Sequence, residues 1–259
     1  MSALVIRQYR YDQLQFWREP AAVFFTVILP VIFLVLFASI FGSEDVELPG
    51  GRLIGGATYY VPGILALSLV SATFVNLTIW LTTEREKGHL KRVRATPAPA
   101  WVVIAGKTLT ALAVGVLMTL LLIAMGRVFY SVPIPTNTLP GLAVTVIVGT
   151  VSLSALGFAV SAFVPSENAG PPVSNAVALP LYFISGIFVP ASELPDWMRS
   201  LGEVLPLKPL FDALLVAFDP RTSGAGIEWG DLAVVAAWGV VGVLAALRFF
   251  RWTPRNAGS

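Results

Sequence analysis

Glu84-Arg85-Glu86-Lys87-Gly88-His89-Leu90-Lys91-Arg92-Val93-Arg94-Ala95-Thr96-Pro97 is a dense charge run in a chain that is otherwise apolar. It holds five of the 17 lysines and arginines and the single histidine. Apolar runs of membrane-spanning length, residues 59–81 and 101–125, lie on either side of it. A helix needs about 20 mostly apolar residues to cross the hydrocarbon core of a bilayer. The run therefore reads as a short basic loop between two membrane helices, shaped as a handle for something in the cytoplasm.

The composition agrees. Of 259 residues, 56% are hydrophobic and 12% charged, against about 25% charged in an ordinary soluble domain. This is the balance of an integral membrane protein. A net charge of +2 gives no reason to expect a nucleic-acid partner. The absence of cysteine excludes disulfides, thiolate chemistry and cysteine-held metals. The first 20 residues have no apolar core ending in a small-residue cleavage site, so the first span is expected to serve as the insertion signal.

Working outward, the sequence predicts an all-α membrane domain over 1–259. Residues 1–19 form an amphipathic interfacial helix, with Leu4, Gln8, Tyr11 and Leu14 near one stripe and Arg7, Arg10 and Arg18 around it; a plain cytoplasmic tail is the alternative. Six spans are expected, at 21–41, 59–81, 101–125, 139–164, 173–189 and 232–250. Pro30 should kink the first, with neighbouring helices satisfying the carbonyl it frees. Residues 42–58 read as a polar, glycine-rich loop. Lys107 lies less than two turns inside the third span and can snorkel to the headgroups. Gly149, Ser152, Ser154, Gly157 and Ser161 make the fourth span suited to close helix packing. Between Pro195 and Pro206 a short amphipathic helix is expected, then an apolar stretch from Leu210 to Phe218. Neither is long enough to span, so 190–230 reads as a re-entrant helical hairpin on the outer face.

Lysine and arginine set the orientation. Twelve fall on the side of the termini and the 84–97 loop, and five on the other. Both termini and the loop are therefore placed in the cytoplasm.

Several chemistries are missing. Gly106-Lys107-Thr108 resembles the end of a phosphate-binding loop, but Trp101 stands where its first glycine belongs and the setting is a membrane helix. Ser185-Gly186 resembles part of an intramembrane serine protease motif, but Phe183 stands where glycine is needed, and His89 lies in the cytoplasmic loop. One histidine without cysteine makes a poor zinc site, and no metal is expected. Asn76-Leu77-Thr78 is a glycosylation sequon buried in a span. Apart from Lys107, the predicted spans carry no ionisable residue well inside, whereas ion-coupled carriers keep them there. Uphill transport would need energy from another subunit.

Two motifs, in register, give the chain a family resemblance. Glu84-Arg85-Glu86-Lys87-Gly88 followed by Lys91-Arg92-Val93-Arg94-Ala95-Thr96-Pro97 resembles one signature of the type-2 ATP-binding-cassette (ABC) export permeases. Ser185-Gly186-Ile187-Phe188-Val189-Pro190 with Leu194-Pro195-Asp196-Trp197 resembles the other. Pro206, Pro209 and the N-terminal helix fit as well, and Val93 stands where many members have leucine. The family includes daunorubicin, nodulation-factor, O-antigen and teichoic-acid exporters. The resemblance implies a permease without its own ATP site, in the inner membrane. It implies two copies of a separate cytoplasmic ATPase, which holds ATP and Mg, and a second permease chain, as a homodimer. The 84–97 loop becomes a coupling helix seated in the ATPase, with Glu84, Arg85, Glu86, Gly88, Lys91, Arg92, Arg94 and Pro97 as the coupling residues. The second and fifth spans line the path between protomers, which nominates Thr73, Asn76 and Trp80 with Asn175, Tyr182 and Ser185; helix–helix hydrogen bonding is the equal alternative for these side chains. The apolar lining suits a hydrophobic or amphipathic small molecule or lipid. Export of a polysaccharide or lipid-linked glycan is the competing reading, and an ATP-independent channel or carrier a further one.

Overall fold

The computed structural model describes residues 2–48, 51–94, 100–250 and 252–253. Its frame is α1 (Ser2–Arg18), α2 (Pro20–Phe41), the hairpin β1 (Asp45–Leu48) and β2 (Arg52–Gly55), α3 (Gly56–Glu86) and α4 (His89–Arg94). There follow α5 (Ala100–Tyr130), α6 (Leu139–Ser161), α7 (Gly170–Ile184), α8 (Asp196–Val204), α9 (Leu207–Phe218) and α10 (Trp229–Phe249). Among the described residues, five helices are long and apolar enough to cross a membrane: α2, α3, most of α5, α6 and α10.

The most buried of the five is α3, with 78% of its apolar window inside the protein against 22% for α2 and 28% for α10. The others are arranged around it. Its first four turns are buried on every side, from Tyr59 through Val70. A helix apolar all round belongs in the middle of a bundle. Beside it, α10 packs against α6 at two glycines. A Cβ on Gly239 would lie 2.6 Å from Ser152 Oγ, and one on Gly242 2.8 Å from the backbone at Ala155 and Leu156. Small residues here allow close backbone approach, which drives helix association in lipid.

The expected kink at Pro30 takes a more specific form. Residues Phe24–Ile28 are wound as a π-turn, and the Leu29 amide bonds back to the Phe24 carbonyl. Pro30 has no N–H to give. The carbonyls left short are met from α3: Ser71 Oγ donates to Phe25 O at 3.2 Å and Ser68 Oγ to Thr26 O at 3.1 Å. Asn76 Nδ2 adds a bond to Thr26 Oγ1 at 2.8 Å.

One expectation needs correction, and two further elements take a more specific form. The 42–58 segment is not an open loop: Val46 pairs with Ile54 in an antiparallel hairpin whose inward residues, Val46, Leu48 and Ile54, are buried. The predicted fifth span, 173–189, is a 15-residue helix, α7. At about 1.5 Å per residue it falls short of the roughly 30 Å hydrocarbon core. It ends where Gly186 turns the chain at φ +88, held by Tyr59 Oη donating to Gly186 O at 2.6 Å. The six-span expectation thus meets five helices of spanning length among the described residues. In the 190–230 segment, α8 is amphipathic and largely exposed. By contrast α9 is core: Leu210, Phe211, Leu214 and Phe218 are all at most 2% exposed, packed against α3, α6 and α10.

Candidate functional site

The charged end of α3 stays helical through Glu86. Arg85 is fully buried, its guanidinium donating to Ser161 O at 2.8 Å, Val164 O at 2.6 Å and Glu86 Oε1 at 2.8 Å. Ser161 is the last residue of α6 and Val164 lies three residues beyond it, at a helix end where carbonyls lack partners and a cation is favoured. Arg85, named among the coupling residues, is turned inward: its side chain bolts α3 to α6. A lone arginine in a basic run reads as exposed, and nothing local in the sequence signals otherwise.

Beyond Glu86 the chain turns at Gly88, with φ +72, a backbone state open to glycine at no cost. The next helix, α4, is anchored by Leu90, 1% exposed, in a cluster with Leu77, Leu81 and Phe158. Lys91 and Arg92 stand exposed on it. Glu84 Oε2 meets His89 Nδ1 at 3.0 Å, and Lys87 meets Glu167 at 3.2 Å. Arg94 closes α4, but its side chain, like Pro97, lies outside the described residues. The core helix thus leads, through the turn at Gly88, into a short, cation-bearing helix anchored by Leu90.

Beside this end lies a cleft of about 410 Å³ between α1, α3 and α5. Lys107 does not snorkel outward, as its position suggested. Its ammonium pairs with Asp12 at 3.1 Å, donates to Gln15 Oε1 at 2.9 Å and sits 4.0 Å from the centre of the Trp80 ring. Asp12 is fully buried and also accepts from Gln8. Burial pushes the Asp12 carboxyl above its ordinary value, and the Lys107 ammonium pulls it back down. Gly106 is explained by the same contact. A Cβ there would lie 2.9 Å from Asp12 Oδ2, so the glycine lets α1 close onto α5. α1 is thereby fixed to the bundle by a buried ion pair between residues 95 positions apart, which no local pattern reveals.

The six nominated path residues divide. Asn76 and Trp80 line the cleft. Thr73 is fully buried and donates back to Leu69 O at 2.6 Å. It lies within a π-turn, Ser71–Val75. The extra residue in that turn breaks the i, i+3, i+7 relation expected of a regular helix. On α7, Asn175 is exposed, whereas Tyr182 and Ser185 are buried, Ser185 Oγ donating to Tyr182 O at 2.9 Å. The protomer does not gather the six into one lining.

Known proteins of similar sequence fit this architecture. The family model for ABC-2 type transporters matches residues 2–218. The inner membrane transport permease YadH of Escherichia coli K12 is 24% identical over 239 residues, covering 90% of this chain and 88% of YadH. The daunorubicin resistance ABC transporter permease protein DrrB1 of Streptomyces coeruleorubidus is 27% identical, with coverage of 89% and 79%. The probable multidrug ABC transporter permease YbhR of Escherichia coli K12 is 22% identical, covering 67% of this chain and 47% of YbhR. With five apolar helices of spanning length and a match over most of its length, the chain belongs to the ABC-2 type transporter family, as a multi-pass membrane permease.

Proposed function

We propose that this chain is the membrane subunit of an exporter that moves a hydrophobic or amphipathic compound, drug-like or lipid-like, out of the cell. Two copies form the path, and two cytoplasmic ATPase subunits, holding ATP and Mg, supply the energy. The chain crosses the inner membrane six times with both termini in the cytoplasm. Short α7, continued by residues 185–190, makes the fifth crossing, and α8–α9 form the outer hairpin. The names of DrrB1 and YbhR support a drug-like cargo.

The observation that carries this reading is the rod from α3 into α4. The core helix of the bundle runs without a break into the charged segment, and Arg85 ties it to α6 at that level. A closure of the ATPase dimer that displaces α4 is delivered to the helix at the centre of the membrane domain. Lys91 and Arg92 are the exposed cations on that short helix, suited to carboxylates on the ATPase.

Reversing both charges, Lys91→Glu with Arg92→Glu, tests this. The variant inserts and folds, because neither side chain is buried. Its association with the ATPase falls by at least about tenfold, since like charges now meet across the contact. ATP-driven export falls with it. Full export by the double variant would overturn the coupling role.

A further inference from the structure

We propose that the cleft between α1, α3 and α5 binds an amphipathic cation within a single protomer, its apolar body against the helices and its ammonium at the acidic mouth. The proposal rests on the exporter reading for its meaning, as the place where cargo is loaded, but not for its geometry.

Charge is the first argument. Among the described residues, four carboxylates line the cleft, Asp12, Glu19, Glu84 and Glu167, against two ammoniums, Lys87 and Lys107. Asp12 is matched by Lys107 and Glu167 by Lys87. Among the described residues the Glu19 carboxylate makes no ion pair or hydrogen bond, and Glu84 pairs with His89 while lying in the field of Lys107. The mouth therefore carries excess negative charge beside an otherwise basic loop. The positive-inside pattern would not place it there.

The floor supplies the second argument. Ser154, 3% exposed, lines the cleft, and its hydroxyl has no partner among the described residues; there Trp80 Nε1 is likewise buried and unpartnered. Buried donors without acceptors cost about 1–3 kcal/mol each, so two such donors among the residues lining the cleft are available to a ligand acceptor. Between floor and mouth the wall is apolar, with Leu77, Ala111 and Val114. The face of Trp80 is taken by the Lys107 ammonium, an indole–cation contact that leaves a ligand's own cation to the acidic mouth. A ligand with a carbonyl or ether at one end, an apolar body and an amine at the other meets all three zones. A volume of about 410 Å³ is that of a small-molecule pocket.

The far end of the bundle repeats the sign. A second cavity, about 490 Å³, is lined by Glu44, Asp45, Glu47 and Glu193 beside Tyr60 and Phe188, with no lysine or arginine among the described residues of its lining. An amphipathic cation would find aromatic surface and negative charge at both ends of the protomer.

The test uses the purified full-length permease in detergent without nucleotide or ATPase. Binding of rhodamine 6G, a cationic amphipathic dye, is followed by anisotropy beside that of fluorescein, an anionic dye of similar body. Rhodamine 6G should bind at least about tenfold more tightly. Glu19→Gln with Glu84→Gln should weaken it about tenfold and leave fluorescein no weaker. Ser154→Ala should weaken it about threefold to tenfold while leaving thermal stability unchanged or raised, because the lost hydroxyl has no protein partner. Equal binding of the two dyes, or a glutamine variant that binds rhodamine 6G as the parent does, overturns the proposal. Failure to recover an ATPase partner would instead count against the exporter reading, and leaves the dye measurement standing.

Discussion

Arg85 offers a sharp test of how the charged end of α3 is built. Arg85→Ala removes three donated bonds, to Ser161 O, Val164 O and Glu86 Oε1, all between 2.6 and 2.8 Å. Each charge-assisted bond of this kind is worth about 1.5–3 kcal/mol. The losses do not add fully, because water can reach the Glu86 side, where that side chain is 10% exposed. Breaking a buried charged network by removing one partner costs about 3–5 kcal/mol, and that is the expected loss of stability. Arg85→Lys keeps the charge, but a single ammonium cannot span two carbonyls and a carboxylate as a planar fork does. About half of the loss should remain. Arg85→Met fills space without charge and should resemble alanine, separating packing from bonding. The assay is denaturant unfolding of the permease in detergent micelles, read by tryptophan fluorescence. A midpoint for Arg85→Ala within about 0.5 kcal/mol of the parent, the range of ordinary surface substitutions, would refute the bolt between α3 and α6.

Further outcomes follow from other contacts. Lys107→Met leaves Asp12 buried without its cation, so α1 should loosen from α5, seen as faster hydrogen exchange in Ser2–Arg18. Burial already holds the Asp12 carboxyl above its ordinary value, and removing the ammonium raises it further. The folded state then takes up the proton more readily than the unfolded one. The loosening should therefore shrink as pH falls through that raised value and return as pH rises. Gly88→Val should destabilise by about 1–2 kcal/mol, because φ is +72 there, while Gly88→Asn should cost less; nothing lies within 4 Å of an added Cβ, so the difference reports backbone strain alone, read by the same unfolding assay. Gly242→Leu should destabilise by about 1–3 kcal/mol or more through overpacking against α6, whereas Gly230→Ala, which meets nothing within 4 Å, should be silent.

The sequence tells where the long apolar helices lie because hydropathy is a local property. The first, fourth and sixth spans are within three residues of the observed helices at each end. The second and third run on by five residues at their C-terminal ends, since Thr82–Glu86 and Gly126–Tyr130 lower the hydropathy without breaking the helix. The hairpin was present in the alternation of Asp45-Val46-Glu47-Leu48, but four residues are a weak period beside a glycine-rich turn. What sequence did not disclose depends on pairs far apart. Asp12 and Lys107 look like unrelated surface charges until α1 lies on α5. Thr73 shares a face with Asn76 only on a regular helix, and π-turns carry no residue signature here. The buried state of Arg85 is decided by the C-terminal end of α6, 76 residues away.

The pairing at Pro30 has a bearing on how the chain is made. α2, made before α3, carries carbonyls at Phe25 and Thr26 whose donors, Ser71 and Ser68, lie 46 and 42 residues further along. In hydrocarbon an unmet carbonyl costs several kcal/mol. α2 by itself is thus an unfinished guest of the bilayer, best kept near the translocation channel until α3 has been synthesised. The two helices should enter lipid as a pair, and replacing both serines with alanine should prolong residence at the channel before it changes anything in the finished transporter.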